Sequence, residues 1–94
     1  MRIPKQIKAF GFVYPIIQRK NLRDKSGHWL GLINHKKGWI KIEKDAHQGR
    51  KEESLFHELI HFVNMEKLIR MREKQVEDLS TGLYTILKDN NLLK

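Results

Sequence analysis

Two histidines four residues apart, His57 and His61, are the side chains in this sequence that are best suited to chemistry. Residues 57–61 read His-Glu-Leu-Ile-His, and positions four apart on a helix lie above one another on one face. Two imidazole nitrogens on one face can bind a zinc ion at about 2.0–2.1 Å. Glu58 is rotated from His57 by roughly 100°, so its carboxylate can lie beside the metal and act on a metal-bound water. This HExxH arrangement predicts metal-assisted hydrolysis, with the glutamate as general base.

The residues around this motif are almost all apolar: Leu55, Phe56, Leu59, Ile60, Phe62 and Val63. A helix of this composition has to be largely buried, and burying two histidines and a carboxylate without partners costs several kcal/mol. One zinc ion with a bound water removes that cost. The alternative is a pair of hydrogen-bonded core histidines without a metal.

A catalytic zinc site needs a third protein ligand, which usually accompanies a water. No third histidine follows at the spacing of the extended HExxHxxGxxH motif, so the ligand has to be a carboxylate. Glu66 is too close in sequence and lies off the face of the two histidines. We favour Glu77, which is one turn inside the next predicted helix and beside an apolar core position. Asp78 and Glu73 are the second choices.

The elements that position these residues are strands in the first half and helices in the second half. Residues 5–12 and 13–20 are rich in β-branched and aromatic residues, and residues 28–33 and 39–43 flank a short polar turn, which predicts a hairpin. Helix formers fill residues 50–63. A second helix is predicted from near Glu73 to near Asn90, with a core stripe of Val76, Leu79, Leu83, Ile86 and Leu87.

This order predicts one α+β domain over residues 1–94, a small antiparallel β-sheet followed by two packed helices beneath it. Residues from about 1 to 46 form the sheet region, and residues from about 47 to 94 form the active-site helix and the helix with the third ligand. A length of 94 residues allows one domain.

Composition narrows the classes of function. Without cysteine there is no disulfide framework and no thiolate metal site. No signal peptide or membrane span is recognisable, so a cytoplasmic protein is expected. The net charge of +8 comes from basic residues that are scattered along the chain. Nucleic acid is therefore not the favoured partner, and the oligomeric state is left open.

Residues 54–61 (SLFHELIH) and 76–84 (VEDLSTGLY) resemble the gluzincin class of zinc metallopeptidases, and more narrowly the minigluzincins and small phage-borne zincin-like proteins. In that class a glutamate with a small residue three places later follows HExxH, and Glu77 with Ser80 matches this pair. The resemblance implies His57, His61 and Glu77 as zinc ligands and Glu58 as base and proton shuttle. It also implies an edge strand that binds an extended peptide or protein substrate by β-augmentation; this strand comprises Gly31, Leu32, Ile33 and Asn34.

Larger gluzincins have a downstream histidine or tyrosine that stabilises the oxyanion, and no residue here matches it obviously. Tyr84, on the same helical face as Glu77, is the candidate, followed by His35 and His47. The expected function is therefore a zinc metallopeptidase that is either latent or weakly active. The alternative is a catalytically silent zincin-fold module that binds a protein or nucleic-acid partner.

Overall fold

The computed structural model describes residues 1–93 and confirms an α+β fold of six strands and two helices. In chain order the elements are β1 (Gln6–Ala9), β2 (Phe12–Arg19), β3 (Arg23–Asp24), β4 (Gly27–His28), β5 (Gly31–Asn34), β6 (Trp39–Glu43), α1 (Gln48–Lys67) and α2 (Glu73–Asp89). Both predicted helices and the predicted hairpin are found, and α1 is longer than expected at both ends.

The main sheet has four strands in the order β1-β2-β6-β5, and β3 and β4 form a separate two-stranded ribbon. Strands β1 and β2 pair in antiparallel fashion, as do β5 and β6, but β2 and β6 are parallel. The expectation of a wholly antiparallel sheet is therefore wrong at this one pair. The 19 residues between β2 and β6 include β3, β4 and β5, which gives the chain enough length to return and enter the sheet in the same direction.

Helix α1 covers one face of the sheet, and the core lies between them. Ile40 and Ile42 alternate with Lys41 along β6 and are fully buried against Leu55 and Phe62 of α1. His47 is the N-cap that precedes α1, and its Nδ1 accepts a hydrogen bond from the Gly49 N–H at 3.1 Å.

Helix α2 packs mainly on α1, and its buried face differs from the predicted stripe. Val76, Ser80 and Tyr84 are buried, whereas Leu79, Leu83 and Ile86 are exposed. This face includes a polar contact with α1, because the Tyr84 hydroxyl donates a hydrogen bond to Glu52 at 3.0 Å. Within residues 1–93, neither helix is long and apolar enough to cross a membrane.

Candidate metal centre

Three side chains converge at one point on the surface of α1: His57, His61 and Glu73. The two Nε2 atoms of the histidines are 3.1 Å apart. Glu73 Oε1 lies 2.8 Å from His57 Nε2, and Glu73 Oε2 lies 3.0 Å from His61 Nε2. Glu73 is the first residue of α2, so the packing of α2 on α1 brings its carboxylate to both imidazoles.

Hydrogen bonding alone does not account for this cluster. If both Nε2 atoms carry protons, both donate to the ionised carboxylate of Glu73, but two donors then face each other at 3.1 Å. If one Nε2 atom lacks its proton, its lone pair faces a carboxylate oxygen. A cation bound between the three groups satisfies all of them. Atoms that bind zinc tetrahedrally at about 2.0–2.1 Å are about 3.3 Å apart, close to the observed 2.8–3.1 Å.

The protonation of His61 suits a metal ligand. Burial lowers the pKa of this imidazole, and the negative charge of Glu73 opposes the shift only in part. The ring is therefore neutral near pH 7, which is the form that binds metals. These atoms offer a site of nitrogen and oxygen ligands, which zinc accepts.

Glu58 is the buried acid beside this cluster. The residue is 5% exposed, and its Oε2 has no hydrogen-bond partner within residues 1–93. Its carboxylate and the imidazoles of His57 and His61 have ligand atoms within 4.8 Å of one another. Burial first, and the charge of Glu73 second, raise the pKa of Glu58 to about 7. An unpaired buried carboxyl that titrates near neutral pH is the property expected of a general base.

The raised pKa of Glu58 predicts how pH affects the stability of the metal-free protein. The folded state holds a proton on Glu58 up to about pH 7, whereas the unfolded chain releases it near 4.5. The protonated Glu58 therefore contributes about 3 kcal/mol to the free energy of unfolding. This contribution is fully present below pH 4.5 and is lost as the pH rises through about 7. Glu58→Gln removes this titration. In EDTA, urea unfolding is expected to show the variant gaining about 3 kcal/mol over wild type between pH 4.5 and 8. A difference that does not change with pH would contradict the raised pKa.

The structure assigns different positions to the three carboxylates considered as third ligand. Glu73 contacts both histidines, whereas Glu77 lies one turn further along α2, on the wall of a cleft beside His57. Asp78 pairs with Lys74 at 3.0 Å on the exposed side of α2. The preference for Glu77 over Glu73 is thus not supported by the geometry.

The edge strand β5 runs beside α1 in the same direction as the helix. A Cβ atom on Gly31 would lie 3.2 Å from Ser54 Cβ and 3.4 Å from Glu58 Cγ, so the missing side chain permits this close approach. At the other end of the strand, the His35 ring contacts the ring of Phe62 with centroids 6.3 Å apart. The range predicted to bind substrate, from Gly31 to Asn34, coincides with β5 and lies at the edge of the sheet next to Glu58.

A cleft of about 480 Å³ opens on the His57 side of the cluster. Trp29 lines it, and its indole N–H donates a hydrogen bond to Asp24 Oδ1 at 2.8 Å, which fixes the ring. Sequence reasoning missed Trp29 as a cleft residue. The signal in the sequence is an aromatic residue with a polar N–H group, two positions before the predicted edge strand that starts at Gly31.

The three candidates for stabilising an oxyanion occupy different places. The hydroxyl of Tyr84, the first choice, donates to Glu52, and burial together with Glu52 raises the pKa of Tyr84 to about 12. His47 serves as the cap of α1. His35 is the candidate that shares a cavity with His61. The expectation that Tyr84 reaches the metal centre is therefore not supported.

Glu52 explains why Tyr84 lies elsewhere. This carboxylate is 1% exposed and receives hydrogen bonds from Gln48, Tyr84 and Lys88. Burial acts to raise the pKa of Glu52, but these donors outweigh it and lower the pKa. Glu52 is thus a satisfied structural acid, in contrast to the unpartnered Glu58 on the same helix.

Comparison with models of protein families, with curated proteins and with solved structures gave no significant match. The arrangement of His57, Glu58, His61 and Glu73 is therefore the ground on which a function can be inferred.

Proposed function

We propose that this protein is a zinc-dependent metallopeptidase in which His57, His61 and Glu73 hold one zinc ion and Glu58 is the general base. The observation that carries the proposal is a set of three contacts of 2.8–3.1 Å, which join the two imidazole Nε2 atoms to each other and each of them to one oxygen of Glu73. Beside them lies the buried Glu58, whose Oε2 has no hydrogen-bond partner within residues 1–93. An HExxH helix with a third ligand from a following helix is an arrangement used for metal-assisted hydrolysis.

The metal site and Glu58 would have different roles in peptide hydrolysis. A bound zinc ion would supply Lewis acidity and lower the pKa of a water. Glu58 takes a proton from the attacking water and passes it to the leaving amine, and its position one residue after His57 places it beside the ligands. The low polarity around Glu58 keeps its pKa near 7 in the metal-free protein, whereas the positive charge of a metal would lower it.

The edge strand β5 provides a way to bind the substrate. Its outer side has no neighbouring strand within residues 1–93, so backbone groups there are available to an extended peptide. Gly31 brings the strand within van der Waals distance of Ser54 and Glu58. A peptide added along β5 would pass the zinc ligands and lie across the cleft that Trp29 lines.

Metal content tests the ligand set directly. Zinc-loaded wild-type protein is expected to retain one equivalent after dialysis, and Glu73→Ala is expected to lose affinity by more than the 10- to 100-fold typical of supporting residues. Glu77→Ala is the matched control, because it removes an acid of the same helix one turn away. It should retain zinc as the wild type does. Elemental analysis gives the zinc content, and competition with a chelator gives the affinity. Loss of zinc from Glu77→Ala but not from Glu73→Ala would assign the third ligand to Glu77.

Cleavage of a mixed peptide library by the zinc-loaded protein tests the activity itself, with products identified by mass spectrometry. We expect cleavage that EDTA abolishes and zinc restores. Zinc binding without any peptide cleavage would favour the alternative, a catalytically silent zincin-like module. If the partner of that module is a nucleic acid, its binding should weaken steeply as the salt concentration rises, because the protein has a net charge of +8.

A further inference from the structure

A second cavity, of about 270 Å³, adjoins the candidate metal centre on the side of His61. We call it the Arg70 pocket; it is lined by His35, His61, Asn64, Met65, Leu68 and Arg70. It is separate from the cleft beside His57. The proposed zinc ligands His57, His61 and Glu73 lie between this cleft and the Arg70 pocket. A peptide that extends along β5 reaches this pocket at the end of the strand, because His35 directly follows Asn34.

The chemistry of the pocket combines an apolar wall with a cation. Met65 and Leu68 are 51% and 75% exposed and supply apolar surface. Arg70 has no carboxylate within 4.0 Å among residues 1–93 and therefore brings an uncompensated positive charge. Its guanidinium has the planar donors that match a carboxylate. The apolar wall suits the methylene groups of a side chain that carries one.

The backbone holds Arg70 in place. Arg70 has a φ of 65°, and Leu68 has a φ of 52°, both in the left-handed region that residues other than glycine seldom adopt. The side chain of Asn64 holds this segment, because its Oδ1 accepts from the Met71 N–H at 2.9 Å and its amide donates to the Met71 carbonyl at 3.4 Å. Leu68 is the left-handed C-cap with which α1 ends, as many helices do. Arg70 is a further left-handed residue beyond that cap, and residues held in such a conformation cluster at functional sites.

His35 adds a neutral donor to the pocket. Its Nδ1 is buried without a hydrogen-bond partner within residues 1–93, so Nε2 is the nitrogen left for a ligand. Burial lowers the pKa of His35, and the charge of Glu66 offsets this only in part. Glu66 does not line the pocket. Near pH 7, Arg70 therefore supplies the charge and His35 an N–H group.

We propose that the Arg70 pocket binds a carboxylate of the substrate, either an acidic side chain next to the cleaved bond or the α-carboxylate of a peptide that ends there. This inference rests on the proposed function and names the substrate class for it. The net charge of +8 would also attract acidic peptides towards the protein.

The test compares matched peptides that differ only by one carboxylate. Around a bond found by library cleavage, each flanking position is made Glu or Gln, and each peptide ends as a free acid or an amide. At one of these positions, we expect the peptide with the carboxylate to have a kcat/KM about tenfold or more above that of the peptide with the corresponding amide. Arg70→Gln should bring the acid-to-amide ratio of kcat/KM close to one, whereas Lys67→Gln, which removes a nearby exposed cation, should keep the wild-type ratio. An acid-to-amide ratio that is the same in wild type and Arg70→Gln would overturn the proposal. The position of the effective carboxylate distinguishes a side chain from a chain end.

A binding measurement keeps the two proposals separate. Zinc-loaded Glu58→Gln protein is titrated with acetyl-Ala-Ala-Glu-Ala-Ala-amide and with its Gln counterpart, while NMR follows the Arg70 Nε–H and the His35 ring. Shifts that depend on the carboxylate support the pocket even where wild-type protein cleaves nothing, which would remove only the peptidase assignment. Equal shifts with both peptides, or none with either, would refute the pocket even where cleavage is found.

Discussion

Glu58→Gln is expected to retain zinc and to lose peptide cleavage, with a fall in kcat of about 10²- to 10⁴-fold or more. The amide has nearly the same shape as the carboxylic acid, so it fits the buried space beside His57 and His61 without a new cavity. It cannot accept the proton of the attacking water. Glu58 lies next to the proposed ligands and is not one of the three side chains that converge, so zinc content should not change.

A matched control separates this effect from a general loss of acidic charge. Asp78→Asn removes a carboxylate of α2 that pairs with Lys74 on the exposed side, so cleavage and zinc content should both be as in wild type. Initial rates on one good peptide, with zinc determined on the same samples, give the comparison. Substantial cleavage by Glu58→Gln at full zinc occupancy would remove Glu58 from the role of general base.

The helical half of the fold is readable from the sequence because its signals are local. Helix formers without Gly or Pro run through residues 50–63, and they lie within α1. The parallel pairing of β2 with β6 has no such signal. It depends on how the long connection between these strands folds, and alternation within each strand is the same for both directions of pairing.

The identity of the third ligand depends on the joint between the helices. This joint, residues 68–72, has no Gly or Pro, and yet Leu68 and Arg70 adopt left-handed backbone angles. Rules that locate turns by Gly and Pro therefore do not predict this turn. Glu77 and Glu73 are one helical turn apart, which is four residues and about 6 Å along the axis. The motif from His57 to His61 needs no such information because a single helix positions it.

The face that α2 buries was also beyond prediction from its apolar residues. Leu79, Leu83 and Ile86 are exposed, while Ser80 and Tyr84 are buried. A hydrophobic stripe predicts burial only when the partner surface is apolar. Here α1 presents polar groups to α2, including Glu52, which takes a hydrogen bond from Tyr84. The observed rotation of α2 gives the buried Glu52 a hydrogen-bond partner, as buried acids require.

Zinc is expected to stabilise the wild-type protein strongly, and His57→Ala should abolish that effect. At a zinc concentration of 1,000 times Kd, binding to the folded state alone adds about 4 kcal/mol. For a domain of this size, that raises Tm by about 15–30 °C. His57 supplies one of the converging atoms, so its removal leaves a site with two ligands. The variant should show little change in Tm between EDTA and zinc in a thermal melt followed by circular dichroism.

His47→Ala provides the control with a histidine of the same helix. His47 caps α1 through the bond from the Gly49 N–H, so its loss should lower Tm in EDTA by the equivalent of about 1 kcal/mol. The rise in Tm on adding zinc should remain as large as in wild type, because His47 lies at the start of α1 and His57 lies ten residues further on. A rise that survives in His57→Ala would mean that zinc binds elsewhere. Loss of the rise in both variants would instead show that metal binding depends on the integrity of α1 and not on His57 itself.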